Sequence, residues 1–261
     1  MERETRRLEN GDSPSWKWGL AAGWGRARHS GSVDVRGLAT ALVDLVLPAE
    51  CAGCTAPPEV GAWCALCVHR LGAPAWVVLP GGPVVLTAGR YTGPLRTALL
   101  RYKERGRRDL AAPLARHLLP ALEEVAPGPP GATWLVPAPS RPAAARARGG
   151  DHVARLARTA AAARPHFRVT QALALARNTR DSVGLDAAQR TANLAGRLRV
   201  RYGALPPSGS RVVLVDDIVT TGATLSACRA ALADVGVAAE SAVALCDATS
   251  GRDDHEHSTA S

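Results

Sequence analysis

The sequence has no uninterrupted apolar run of about 18 residues, the length a membrane-crossing helix needs, so no membrane insertion is expected. Lysine is almost missing. Lys17 and Lys103 are the only two, and the other 30 of the 32 basic residues are arginine. Aromatic residues make up 4% of the chain, which leaves few rings on which nucleic-acid bases could stack. No Gly-Lys-Thr or Gly-Lys-Ser occurs, so the phosphate loop of an ATPase is excluded. Met1 to Arg36 lacks an apolar stretch followed by a cleavage site and shows no period. It reads as a disordered extension rather than an export signal. A cytoplasmic address is the expectation, and there thiols more often bind metal than each other.

What is present is length and positive charge. The 261 residues have room for one α/β domain plus an appendage. The formal charge is +9, and the excess gathers in two blocks. Arg90 to Arg116 holds eight basic residues against Glu104 and Asp109, and Arg141 to Arg168 holds seven against Asp151. With so few aromatics between them, an anionic ligand or a solvated face explains these blocks better than a nucleic-acid surface.

Apolar spacing predicts a helix over 38–47, then a cysteine segment over 51–67. A strand is predicted over 84–91, a helix from Pro94 to about Lys103, and a helix from Asp109, as its cap, to Glu124. From residue 134 the pattern alternates as in a parallel sheet flanked by helices. Strands are expected at 134–137, 171–175, 211–215 and 238–245, with helices at 152–163 and 222–235. The expected domains are an extension over 1–36, a helix with a cysteine module over 37–80, an α/β domain over 81–248, and a disordered tail over 249–261.

One segment carries the chemistry: Val212-Val213-Leu214-Val215-Asp216-Asp217-Ile218-Val219-Thr220-Thr221-Gly222-Ala223-Thr224. A strand buried in a parallel sheet delivers Asp216 and Asp217 to its carboxyl end, where open α/β sheets bind ligands. The turn and helix start that follow offer backbone N–H groups to a phosphate, with hydroxyls from Thr220, Thr221 and Thr224. Gly222 allows close backbone approach. Adjacent carboxylates suit the hydroxyls of a sugar. Each residue alone reads as an ordinary turn or cap; the combination does not.

A second segment, Cys51-x-x-Cys54 followed after nine residues by Cys64-x-x-Cys67, has the spacing of two metal knuckles. Four thiolates would surround a structural Zn²⁺ and leave it no open position. Free or disulfide-linked cysteines are the plainer alternative. His69 reads as a surface residue, and Cys228 and Cys246 as small buried ones.

Residues 212–224 resemble the phosphoribosyl-diphosphate signature of type I phosphoribosyltransferases. From about Leu38 to Asp247 the chain resembles the ComF family, linked to competence and DNA uptake. That wider likeness takes in the four cysteines, Tyr91-Thr92-Gly93-Pro94-Leu95, Val136-Pro137-Ala138-Pro139, and Arg190 through Asn193 to Gly196. It implies a type I phosphoribosyltransferase-like α/β fold with a small N-terminal zinc module. It also implies that Asp216 and Asp217 hold the ribose while residues 220–224 cradle its 5′-phosphate. Arg146 and Arg148 would stand on a flap near the diphosphate, with Lys103 as another candidate there. Mg²⁺ would bind with the phosphoribosyl diphosphate. The chain departs from the family at Gly150-Asp151-His152, at Val183 and at Leu198, where acceptor specificity is in doubt.

Two functions follow. The first is transfer of phosphoribosyl to a nitrogen acceptor with release of diphosphate. The second is a non-catalytic DNA-uptake protein that binds a nucleotide and engages single-stranded DNA or a helicase partner through its zinc module and basic surface. A homodimer is expected by analogy of fold alone.

Overall fold

The run from Val212 to Val215 offers an apolar side chain to both faces of a strand, a pattern that demands cover on both sides. A computed structural model describes residues 50–58, 61–79, 83–129, 131–176 and 196–249, all within the unit Leu47–Ser261, and places this run inside a sheet. The extension over 1–36, the helix expected over 38–47, the segment around Val183 and nearly all of the tail lie outside the described residues.

The strands are β1 (Ala75–Val78), β2 (Val84–Thr87), β3 (Thr133–Pro137), β4 (Phe167–Val169), β5 (Leu173–Leu175), β6 (Leu198–Val200), β7 (Arg211–Val219) and β8 (Ser241–Asp247). The helices are α1 (Ala65–His69), α2 (Gly93–Glu104), α3 (Ala111–Val125), α4 (Pro142–Ala147), α5 (His152–Ala162) and α6 (Ala223–Ala233). Six strands form the main sheet in the order β1-β2-β8-β7-β3-β4. Only β1, at one edge, runs antiparallel to its neighbour. The expected α/β fold, a mostly parallel sheet flanked by helices, is therefore present.

Alternation along β7 divides the core. Val213 and Val215 join the leucines of α2, α3 and α5 on one face. Val212 and Leu214 join Leu225, Cys228 and Leu232 of α6 on the other, with Leu173 and Leu198 from the small sheet. The helices answer with apolar residues at helical spacing: Leu114, Leu118 and Leu122 in α3, and Val153, Leu156, Ala157 and Ala160 in α5. Each fully buried leucine contributes roughly 1.5–3 kcal/mol. Cys228 and Cys246 are buried, as expected.

Two local expectations are corrected. Asp109 does not cap α3; it sits in a 3-10 turn, Arg108–Leu110, and its carboxylate accepts two bonds from Arg107, at 3.0 and 2.8 Å. The strand expected at 171–175 is the shorter β5, which pairs antiparallel with β6 in a separate two-stranded sheet. The sheet position beside β3 belongs instead to β4.

The cysteine segment packs directly on α2. Ala52 is fully buried in the core on that face, and a Cβ at Gly53 would come within 2.6 Å of Pro94 Cβ. Arg101 of α2 is 8% exposed and donates to the Cys51 and Ala52 carbonyls at 3.0 and 3.4 Å. Its other nitrogen pairs with Glu50 at 2.6 Å. Among the described residues no helix is long and apolar enough to cross a membrane. Because Arg101→Met would take the guanidinium from the Ala52 carbonyl and leave Cys51 only the Thr55 N–H, it is expected to lower unfolding stability by about 1–3 kcal/mol. Urea denaturation checks this, and an unchanged midpoint would mean that the guanidinium contributes nothing to docking.

Candidate functional site

β7 continues four residues beyond its apolar run, through Asp216 and Asp217 to Val219. Both carboxylates thus leave from within the sheet. Alternation turns them apart. Asp217 faces α2 and α5, where Lys103 Nζ and His152 Nε2 each reach its Oδ2 at 2.6 Å. Asp216 lies on the α6 side, where burial and then its charge push the Cys228 thiol up. One Asp216 oxygen accepts the Asp217 backbone N–H at 2.8 Å.

The two acids are 8% and 7% exposed, yet their electrostatics differ. Burial, then the neighbouring Asp217 charge, push the Asp216 carboxyl well above the ordinary carboxylate range. Burial also pushes Asp217 up, but the His152 hydrogen bond and the Lys103 charge outweigh it and hold that carboxyl below its usual range. Asp217 is therefore the fixed negative charge, and Asp216 the member that gives up its charge more readily.

Together they line a cleft of about 510 Å³ with Lys103, Ser140, Arg148, His152, Thr220 and Thr224. Thr221, Gly222 and Ala223 line a smaller recess beside it, with Asp216 and Thr220. The backbone there favours glycine. Gly222 has a left-handed φ of 71°, and a Cβ would come within 2.2 Å of Leu79 Cδ1. It caps α6, whose first-turn N–H groups belong to the residues lining the recess and have no partner inside the helix.

Of the sequence-predicted residues, Asp216, Asp217, Thr220, Thr224 and Arg148 meet at the cleft, and Thr221, Gly222 and Ala223 at its recess. Arg146, exposed on α4, is not among the residues lining either. Arg148 also pairs with Glu104 at 3.0 Å. Lys103, considered for the diphosphate, is engaged with Asp217. Sequence reasoning passed over Ser140, which carried no signal of its own, and His152, whose only signal was the departure from the family pattern at Asp151-His152.

The four cysteines also come together. The Sγ atoms of Cys51, Cys54, Cys64 and Cys67 lie within 4.8 Å of one another, with Cys54 and Cys64 3.6 Å apart. Thiolates about 2.3 Å from a tetrahedral zinc stand about 3.8 Å from each other, so the donor set fits that ion. Backbone N–H groups of Gly53 and Cys64 lie 3.4 and 3.3 Å from the Cys51 sulfur. Burial pushes that thiol up, but the N–H groups of Cys64, Gly53 and Cys54 outweigh it and bring it to about 6. His69 is exposed and outside the group.

The model of the phosphoribosyl transferase domain family matches residues 165–260, which include β7, the acid pair and the turn into α6. The sheet is phosphoribosyltransferase-like. No curated protein matches the chain. A hypoxanthine phosphoribosyltransferase from Trypanosoma cruzi is 18% identical over 56% of this chain and 69% of its own, with a TM-score of 0.31. An adenine phosphoribosyltransferase from Saccharomyces cerevisiae is 16% identical over 72% of this chain and 94% of its own, with a TM-score of 0.30. Neither likeness bears on what this chain acts on.

The raised Asp216 carboxyl has a consequence for stability. An acid whose folded pKa lies above its unfolded value, about 3.9, adds no cost below that pH and an increasing one as pH rises through the window between the two. Asp216→Asn keeps the acceptor for the Asp217 N–H and removes the charge. It is expected to raise the unfolding temperature at pH 7, with the gain fading as pH falls towards about 4. A gain that persists undiminished in acid, or no gain at pH 7, would contradict this assignment.

Proposed function

We propose that the chain binds phosphoribosyl diphosphate with Mg²⁺ in this cleft and transfers the phosphoribosyl group to a nitrogen nucleophile. The observation that carries the reading is the continuity of one segment. The buried acids Asp216 and Asp217 end β7, and the chain passes at once into the Thr220–Thr224 turn and the N-terminus of α6. Acceptors for sugar hydroxyls and donors for a phosphate thus lie a few residues apart. The match of the phosphoribosyl transferase domain model over 165–260 supports it.

In the reaction the bond from the ribose C1 to diphosphate breaks as the bond from C1 to nitrogen forms, and positive charge develops on the ring. The protein's part is placement and charge. Asp217, fixed by Lys103 and His152, stands as a preorganised anion beside the sugar, while Asp216 takes a hydroxyl hydrogen bond. The N–H groups of 222–224 and the threonine hydroxyls hold the 5′-phosphate. The turn after β3, with Ser140 and Arg148 near it, receives the diphosphate. Asp216 and Asp217 offer the hard oxygen donors that Mg²⁺ prefers and would hold it with its own waters in place. When bound it would neutralise the charge of the leaving diphosphate.

Membership in the ComF family is part of the same proposal, supported by the cysteine knuckles and the motifs around the cleft. The domains would be a zinc module over 37–80 and a transferase domain over 81–248. Cys51, Cys54, Cys64 and Cys67 would hold Zn²⁺, which supplies folding energy to a segment too small for its own core. The DNA-binding alternative draws less support. Arg101, Arg107, Arg148 and Arg164 of the basic blocks all pair with carboxylates of the chain itself.

Calorimetric titration of the protein with phosphoribosyl diphosphate and Mg²⁺ is expected to show binding. It should weaken by about a hundredfold or more in Asp216→Asn/Asp217→Asn, which removes the Asp217 charge, at about 1.5–3 kcal/mol, and an acceptor oxygen at Asp216. Equal affinity in the double variant would remove these acids from the site. Elemental analysis is expected to find about one zinc per chain, lost in Cys64→Ser together with thermal stability. A metal-free protein with four titratable thiols and unchanged stability would exclude the structural zinc.

A further inference from the structure

His152 takes little part in the chemistry just described, yet four contacts fix it. The Tyr102 hydroxyl donates to its backbone oxygen at 2.8 Å, and the Tyr102 ring meets its own edge-on, with centroids 6.2 Å apart. Its Nδ1 lies 3.1 Å from Ser140 Oγ, and its Nε2 lies 2.6 Å from Asp217 Oδ2. A buried histidine is most often a satisfied core residue. This one, with its side chain 5% exposed, differs in what its two nitrogens join.

Ser140 belongs to the turn after β3, and Asp217 to β7. These strands are parallel neighbours in register, with Pro137 opposite Val215, so both segments open on the same edge of the sheet and line the same cleft. In the phosphoribosyl reading the first is the diphosphate end and the second the ribose end. The turn is also tied to the start of α5 through Asp151, which accepts the Ser140 N–H at 2.8 Å and caps the helix by accepting the Ala154 N–H at 3.1 Å. The imidazole is thus a rigid strut, anchored at its base and bonded at both tips.

We infer that His152 is a positioning residue: by joining the Ser140 turn to the Asp217 carboxylate it holds the two ends of the cleft at the spacing of a ligand that occupies both. The inference rests on the phosphoribosyl-diphosphate reading. Its physical content is preorganisation. A ligand spanning both ends gains from their fixed separation, whereas a ligand at one end does not.

Three ligands separate the roles: phosphoribosyl diphosphate, ribose 5-phosphate and inorganic diphosphate, each titrated by calorimetry with Mg²⁺ into folded protein. His152→Gln retains a donor for Asp217 and lacks the second ring nitrogen. It is expected to weaken phosphoribosyl diphosphate by about tenfold or more while changing each one-ended ligand by less than about threefold. Ser140→Ala, which leaves the buried ring in place, is expected to give the same split. The two together should lose no more than either alone, because both cut one strut. An equal loss for all three ligands would mark a merely structural role and overturn the inference, as would unchanged binding of phosphoribosyl diphosphate or additive losses in the double variant. If His152→Gln does not fold, Ser140→Ala alone decides by the same split. If the unaltered protein binds phosphoribosyl diphosphate and the variants match it, only the role of His152 falls. If the unaltered protein binds none of the three, the phosphoribosyl reading falls as well.

Discussion

A carboxylate that leaves a strand inside a parallel sheet loses its water, and ionised it is costly unless partners replace that water. Asp217 is such a group. Lys103 from α2 and His152 from α5 converge on one of its oxygens, each at 2.6 Å. The helices that cover this face must therefore do more than bury leucines; they must arrive with Lys103 and His152 at the same point. Once they do, Asp216, one residue earlier and on the other side of the strand, becomes the harder charge to keep, because it is buried and its neighbour is already negative. Two identical side chains acquire different roles from their surroundings alone.

This constraint explains which parts of the molecule could be read from its residues. The segment over 212–224 is contiguous, so its strand, its acids and its glycine at 222 were all visible in order. At Gly222 the left-handed φ favours glycine, a backbone demand that the residue type itself announces. Lys103 and His152 were not legible in the same way. They lie far from Asp217 along the chain, and nothing in a single sequence says that α2 and α5 deliver them to it. β4 was missed because three residues are too few to show a period. Asp109 was misread as a cap because Arg107, two residues before it, offers a forked pair of donors that a backbone N–H does not match.

The cysteine segment was legible for a similar reason to the loop: its four thiols are local, and their spacing alone suggests a geometry. Its seat on the fold was not. Arg101 would pass for another member of a basic block, yet it is buried and spent on the Cys51 and Ala52 carbonyls and on Glu50. Much of the positive charge that invites a nucleic-acid reading has structural partners of this kind. Total charge is therefore a poor guide to partners in this chain, and the position of each guanidinium a better one.

Three consecutive residues of α2 bring these strands of argument together. Arg101 holds the cysteine segment, Tyr102 holds the backbone of His152, and Lys103 holds Asp217. Successive residues on a helix point about 100° apart, so one turn of α2 can reach three neighbours that do not otherwise meet. Tyr102 faces the core that α3 and α5 share, and Arg101 and Lys103 flank it. A shift of α2 along its axis would loosen the cysteine segment and the acid pair in the same movement. The segment over 51–67 and the cleft are thus not independent parts joined by a linker. Both are referenced to one helix, and the order of either depends on where that helix sits.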